Sequence, residues 1–530
     1  MKTLTLSLIA RLVAGACVLA SAGAAAASNY SLPALSYHDV VLATSSADEP
    51  ETVSVDSLVR QFAWLQAKGY IPVTMAQVEA ASRGGAALPE RAVLLTFDDG
   101  YASFYTHVMP LLRAYRWPAT LAVIGTRIGS EPAAGEPAYL NAAQLREIAA
   151  SGLVQFANHT YDLHRGIVAN PWGNAQPSAV TRAWAGTGSE TDEQWTRRVA
   201  ADLRRNQERL FELTGHYPTS MVWPYGRHNE MLQALAREQG LTLLFSLESG
   251  VSDVRKEGMA LKRYLVGRDD REGAIMSVTE GADEPQQVIR AVALRVQDLQ
   301  PVAVDQPEQR LSAALPALVE LQGNIAVLDP LVRMDGQVVG AMFETSALEV
   351  KLDYANRVAA LTTGKAGYTS WLSFPLSPAS YRSLSQEQVL ALVEDAAKAM
   401  PAAGLLVEDA DQVDSAVVIQ AISRVRKWRA GAALTLGVAK NNAIFRLKAA
   451  ASAAGAKYVW VDAASASQAL LAGVPVIQSF STGSAALARK SVQAGVSHVA
   501  ITGLPADARG WADFFSLRSM PQRRIEVQGD

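Results

Sequence analysis

Two adjacent carboxylates, Asp98 and Asp99, close the apolar run that starts at Ala92, and Gly100 follows them. Neighbouring residues of a strand point to opposite faces, but a glycine permits a tight turn that brings both acids into one pocket. Two acids so placed can divide the work of a hydrolysis, one ligating a metal and the other accepting a proton. The same pair could instead cap a helix starting near Tyr101. Further along stands Asn158-His159-Thr160-Tyr161-Asp162-Leu163-His164, with two of the chain's seven histidines. Two neutral imidazoles and one carboxylate make a three-ligand set with positions left open for water. A regular helix does not align histidines at this spacing, so a loop has to present them. Val222-Trp223-Pro224-Tyr225-Gly226 is a third candidate. Its proline and glycine fix a turn that can aim an N–H at a developing oxyanion, or simply a structural turn around a buried aromatic.

Each of these groups ends an apolar run. From residue 32 to about 270, strand-like segments alternate with amphipathic helical stretches. The strand candidates are Leu32–Val41, Ile71–Thr74, Ala92–Asp99, Ala119–Gly125, Val154–Thr160, Ser220–Gly226 and Leu241–Glu248. Between the first two, Leu58, Val59, Phe62 and Leu65 form one helical face, and Gly69 supplies the stop. Alternation of this kind predicts βα units around a parallel sheet or barrel, with chemistry at the C-terminal strand ends. Residues 271–310 are polar, without a strong period, and read as a linker or lead-in. A second series follows: Asn324–Pro330, Tyr368–Pro375, Gly404–Ala410, Leu434–Ala439, Tyr458–Ala463, Val474–Phe480 and His498–Gly503, with helices such as Gln386–Met400 between them. It predicts a second, smaller β/α barrel over 311–530.

The bulk numbers agree with two large domains. The chain has 530 residues, 48 Lys+Arg against 51 Asp+Glu, 49% hydrophobic residues and one cysteine. Such a composition excludes a disordered chain, a disulfide framework and a thiolate zinc site. A net charge of −3 gives no bulk attraction to polyanions, so no nucleic-acid partner is expected and a neutral substrate suits it. Residues 1–27 read as an export signal: Lys2, an apolar stretch, then Ala25-Ala26-Ala27 before Ser28. The expected location is periplasmic or exported, with Cys17 as a possible point of lipidation to the outer membrane.

With these residues in place, the chain resembles the polysaccharide deacetylases of the NodB-homology type. Thr96–Gly100 resembles that family's first motif, His159–His164 its histidine motif and Trp223–Gly226 its proline-tyrosine motif. The family's usual C-terminal catalytic histidine is missing, because no histidine occurs between His228 and His498. Ser36-Tyr37-His38-Asp39-Val40 at the end of the first strand supplies one instead. This order, and the four residues between His159 and His164 where that family usually has three, resemble the circularly permuted PgaB-type deacetylases of poly-β-1,6-N-acetyl-D-glucosamine. Further similar stretches are Gln61–Leu65, Gly100–Tyr105 and Leu247–Gly250, so the resemblance covers about 32–270, and a deacetylase domain is expected over 28–270.

The resemblance implies a circularly permuted (β/α) deacetylase barrel followed by a smaller, degenerate (β/α) barrel-like domain. It implies Asp99, His159 and His164 as ligands of a divalent metal, with zinc, iron, nickel and cobalt not distinguished. Asp98 would then be the general base, His38 the general acid, and the Tyr225 backbone N–H an oxyanion donor. Asp39 would either orient His38 or serve the surface; His107, His216 and His228 are bland. The implied substrate is exported poly-N-acetylglucosamine in biofilm formation, with an outer-membrane export porin as a partner. Chitin oligomers, or a glycan-guiding role without catalysis, remain alternatives. In the second domain, Asp329 and Asp335 fall in a stretch resembling an acidic loop of the family. Glu408 or Asp409 could be one carboxylate of a glycosidase, and Trp371, Trp428, Trp460 or Trp511 could stack on sugars.

Overall fold

A computed structural model describes residues 30–45, 49–132, 136–256, 260–270, 272–279, 288–301, 308–437, 454–462 and 475–516. The leader read over 1–27, Cys17 included, lies outside the described residues. Among those described, no helix is long and apolar enough to cross a membrane.

One compact unit draws on the described residues of 1–121, 131–156 and 248–282. Its centre is the strand Ser31–Tyr37, buried at every position but the first. A parallel strand covered on both faces is apolar throughout instead of alternating, which explains its sequence. It pairs in parallel with Ala92–Phe97, Tyr37 opposite Phe97, so His38 follows its strand level with Asp98. On its other side lie Val251–Asp253, antiparallel to its first half, and Tyr264–Leu265, parallel to its second. The helix Val55–Ala67 starts on the Ser54 side chain, which accepts from the Ser57 N–H, and buries Leu58, Phe62 and Leu65.

The other unit takes residues 122–130, 157–247 and the described part of 283–530. Its long helix Asp192–Thr214 opens with a capping box of Thr191 and Gln194 and stops at Gly215, whose φ of 76° suits glycine. The strands Ala119–Val123 and Val154–Asn158 contribute residues to both units. Seven strands of the nine-stranded sheet run in the order Leu243–Phe245, Ser220–Val222, Val154–Asn158, Ala119–Val123, Ala92–Phe97, Ser31–Tyr37 and Val251–Asp253, while Tyr264–Leu265 pairs with Ser31–Tyr37 and Ile71–Pro72 with Ala92–Phe97 off that path. All seven strand candidates of the N-terminal part are present. Among the described residues the expected first barrel is a sheet with two ends, its last strands two or three residues long.

The C-terminal part closes completely. Eight parallel strands form a barrel: Arg290–Arg295, Ile325–Asp329, Thr369–Phe374, Gly404–Val407, Ala433–Gly437, Tyr458–Asp462, Val476–Ser481 and His498–Thr502. Closure removes every exposed edge. Ala291, Ile325, Val327, Trp371, Leu406 and Ile477 fill one small core, and the alternate strand residues join the helices in a larger one. Seven of these strands match the sequence reading. The eighth, Arg290–Arg295, falls inside the stretch 271–310 read as a linker or lead-in: only Ala291–Leu294 is apolar, too short a run to show a period.

Candidate metal and active site

Strand ends position every candidate residue. Asp98 and Asp99 follow the strand Ala92–Phe97, where the Asp98 N–H donates to the Tyr37 carbonyl at 2.9 Å. The chain then turns through Asp99 at φ 70° and Gly100 at φ 82°. A positive φ is costly for an aspartate, and such strain persists where surrounding structure enforces it, commonly at functional sites. It recurs at Thr160 (φ 68°), between the two histidines, and at Tyr225 (φ 57°). All three motifs thus contain one non-glycine residue in the left-handed region.

The two acids are sent to different partners. Asp98, 2% exposed, receives two hydrogen bonds from the fully buried Arg263, at 2.8 and 2.9 Å, and a longer one from Ser36 Oγ at 3.3 Å. Arg263 also donates to Thr96 Oγ1. The ion pair compensates both buried charges and fixes the plane of the carboxylate. His38 Nε2 stands 3.9 Å from Asp98 Oδ2, and its buried Nδ1 has no hydrogen-bond partner among the described residues. Asp39 does not orient it: that carboxylate accepts from Ser103 Oγ at 2.6 Å and from the Val40 N–H at 2.9 Å. Asp99 lies beside Tyr101, whose hydroxyl is pushed far up by burial and by the Asp99 charge.

His159 is buried, and its Nδ1 lies 2.7 Å from the Val222 carbonyl. A carbonyl can only accept, so Nδ1 carries the proton and Nε2 is left as the lone-pair donor, the arrangement typical of metal-bound imidazole. The rings of His159 and His164 are 4.9 Å apart, and His164 meets the half-exposed Tyr225 at 4.4 Å. Asp99, His159 and His164 each offer one ligand atom, and these atoms all lie within 4.8 Å of one another. Two imidazole nitrogens and a carboxylate oxygen at that separation fit a divalent metal.

Tyr225 sits in a turn that only glycine can complete. At Gly226, φ 65°, an added Cβ would come within 2.6 Å of the Leu247 backbone nitrogen. Of the histidines set aside, His228 is paired with Gln233 at 3.1 Å and pushed down to about 4 by burial. Arg263 is the site residue that sequence reasoning missed. It follows no motif, and only the pairing of Tyr264–Leu265 with the first strand brings it to Asp98.

Residues 85–244 match the polysaccharide deacetylase family. That segment of the N-terminal part is similar to a polysaccharide deacetylase domain. A poly-β-1,6-N-acetyl-D-glucosamine N-deacetylase of Escherichia coli K12 is 32% identical over 360 residues, which is 65% of this chain and 52% of that protein. The chain therefore spans about half the length of the curated relatives it matches first. An enzyme of the same description from Staphylococcus aureus MSSA476 is 25% identical over 247 residues, 44% of this chain and 79% of that one. Among solved structures, the BpsB deacetylase domain of Bordetella bronchiseptica is 34% identical, covering 45% of this chain and 96% of its own, at a TM-score of 0.40.

A second polar cluster occupies the mouth of the closed barrel, around a cavity of about 440 Å³ lined by Asp329, Arg333, Ser373, Glu408 and Trp460 among others. Arg333 bridges two acids, reaching Asp329 at 3.0 Å and Glu408 at 2.9 Å. Burial and the neighbouring Asp329 charge push Glu408 up to about 7. Asp409 faces elsewhere, accepting the backbone N–H groups of Leu376 and Ser377. Of the four tryptophans considered for sugar stacking, Trp371, Trp428 and Trp511 are buried, and Trp460 lines the cavity.

Proposed function

We propose that this protein is a metal-dependent N-deacetylase of exported poly-β-1,6-N-acetyl-D-glucosamine. The observation that carries the reading is the division of labour between the adjacent acids: Asp98 held by Arg263, Asp99 grouped with His159 and His164. A pure binding surface has no use for that arrangement. The named activity of the Escherichia coli and Staphylococcus aureus relatives supports the substrate.

Asp99, His159 and His164 would hold the divalent metal. When bound, it supplies Lewis-acid polarisation of the acetyl carbonyl and lowers the pKa of water. Asp98, its carboxylate plane fixed by Arg263, would be the general base toward the attacking water. His38 Nε2 would give a proton to the departing sugar nitrogen as the general acid. The Tyr225 backbone N–H stabilises the oxyanion. Bond cleavage leaves acetate and a glucosamine residue.

The second barrel is read as a surface for the polymer, with Trp460 at its mouth. At that mouth Arg333 bridges Asp329 and Glu408. Export, through the leader at 1–27, and passage to an outer-membrane porin belong to the same proposal. Product analysis on β-1,6-linked and β-1,4-linked N-acetylglucosamine oligomers tests it. Acetate from the β-1,6 series alone is expected; preference for the β-1,4 series would move the assignment to chitin oligomers.

A further inference from the structure

We infer that Asp202 is a positioning residue for the metal site: its carboxylate anchors the loop that spaces His159 from His164. The inference rests on the metal-hydrolase reading proposed above.

The loop between the two histidines is neither helix nor strand, so its backbone groups need partners from elsewhere. Asp202 supplies two of them. Its Oδ1 accepts the Tyr161 N–H at 2.7 Å and its Oδ2 the Asp162 N–H at 2.8 Å. One carboxylate thus closes on two successive amides, the pairing that backbone nests offer to anions. Three further groups of the loop also have partners. The Thr160 N–H donates to Asn158 Oδ1 at 2.8 Å, and the Thr160 and Tyr161 carbonyls accept from the Gly125 and Thr126 amides at 3.1 and 2.9 Å.

Asp202 is well placed to fix this loop because it sits in the middle of the 23-residue helix Asp192–Thr214. That helix grips the loop at three further points. The Leu203 carbonyl accepts from Asn158 Nδ2, Asn206 Nδ2 donates to Asn158 Oδ1, and the Arg205 guanidinium lies 3.8 Å over the Tyr161 ring. Gly125 completes the seat, since a Cβ there would come within 2.5 Å of both Asn206 Oδ1 and the Tyr161 ring. Burial pushes the Asp202 carboxyl up to about 6; the two amides oppose that shift, and the Asp162 charge adds to it. Asp162 itself is exposed and turned to Arg165 at 3.2 Å, so the two acids close to the loop have separate duties.

The test is Zn²⁺ affinity, read by competition with a chromogenic chelator, on the full chain as wild type, D202N, D202A and D162N. Melting curves of the metal-free proteins accompany it. D202N keeps one acceptor and loses the other, and D202A loses both. Partners that orient metal ligands typically contribute 10–100-fold in affinity. A fall of about that size is expected for D202A, and a smaller fall for D202N, with a cooperative melt retained. D162N removes the same charge near the site without touching the anchor, and a far smaller change is expected. Equal losses in D202N and D162N would reduce Asp202 to a charge effect and overturn the inference. So would unchanged affinity in D202A, or loss of the cooperative melt in both Asp202 variants. Absence of Zn²⁺ binding in the wild type would instead overturn the metal reading, an outcome visible in that arm alone.

Discussion

Arg263 holds Asp98 through two near-parallel hydrogen bonds of 2.8 and 2.9 Å, joining residues 165 positions apart in the chain. Both side chains are buried. A buried carboxylate is tolerable in that setting only while its partner remains, so the pair sets the position of the proposed base and ties it to the stability of the sheet.

Arg263→Lys keeps the charge but not the planar fork, and the two bonds cannot both be remade. A loss of about 10²–10⁴ in kcat is expected, the usual contribution of a positioned base. Arg263→Ala strands a buried charge and is expected to cost about 3–5 kcal/mol of stability. Acetate-release kinetics and thermal melts separate the two effects; wild-type kcat in R263K would remove Asp98 from the mechanism.

His38 is the expected acid, with Nε2 near Asp98 and Nδ1 without a partner among the described residues. His38→Asn is expected to lower kcat by about 10²–10⁴ while leaving metal affinity unchanged. Weakened metal binding in H38N would place His38 among the ligands instead.

The Tyr225 backbone donor cannot be deleted, but its turn can be disturbed. Gly226→Ala brings a Cβ against the Leu247 backbone at a φ of 65°. Overpacking of this kind costs about 1–3 kcal/mol, and loss of an oxyanion donor about 10²–10³ in kcat. A folded G226A with full activity would argue against the oxyanion role.

At the barrel mouth, Glu408 is held up at about 7, above the ordinary glutamate value of about 4.5 that the unfolded chain would show. Between those values the folded protein binds the extra proton, so this group's contribution to stability is full below about 4.5 and is lost as pH rises through about 7. Glu408→Gln cannot titrate. The difference in melting temperature between E408Q and wild type is therefore expected to shift in favour of the variant from pH 5 to 8. A difference independent of pH would contradict the raised value.

The sequence was legible wherever chemistry and strand ends coincide. Asp98, Asp99, His159, His164 and Tyr225 each lie within a few residues of an apolar run, and His38 stands out because its strand precedes all the others. Arg263 and Asp202 were not legible. A positively charged residue after a short segment and an aspartate in the middle of a charged helix look like solvated surface, and only tertiary pairing gives them partners. The strand Arg290–Arg295 escaped for a related reason, since charges flank a run of four apolar residues.

The central claim is that acetate release depends on a metal held by Asp99, His159 and His164. The most direct measurement strips the wild-type protein with chelator, confirms it is folded, and follows acetate from β-1,6-linked N-acetylglucosamine oligomers as Zn²⁺, Co²⁺, Ni²⁺ or Fe²⁺ is returned, with Asp99→Ala in parallel. The account expects no release from the stripped protein, recovery with at least one metal, and none from D99A under any of them. Release from the stripped protein, or full activity in D99A, would contradict it.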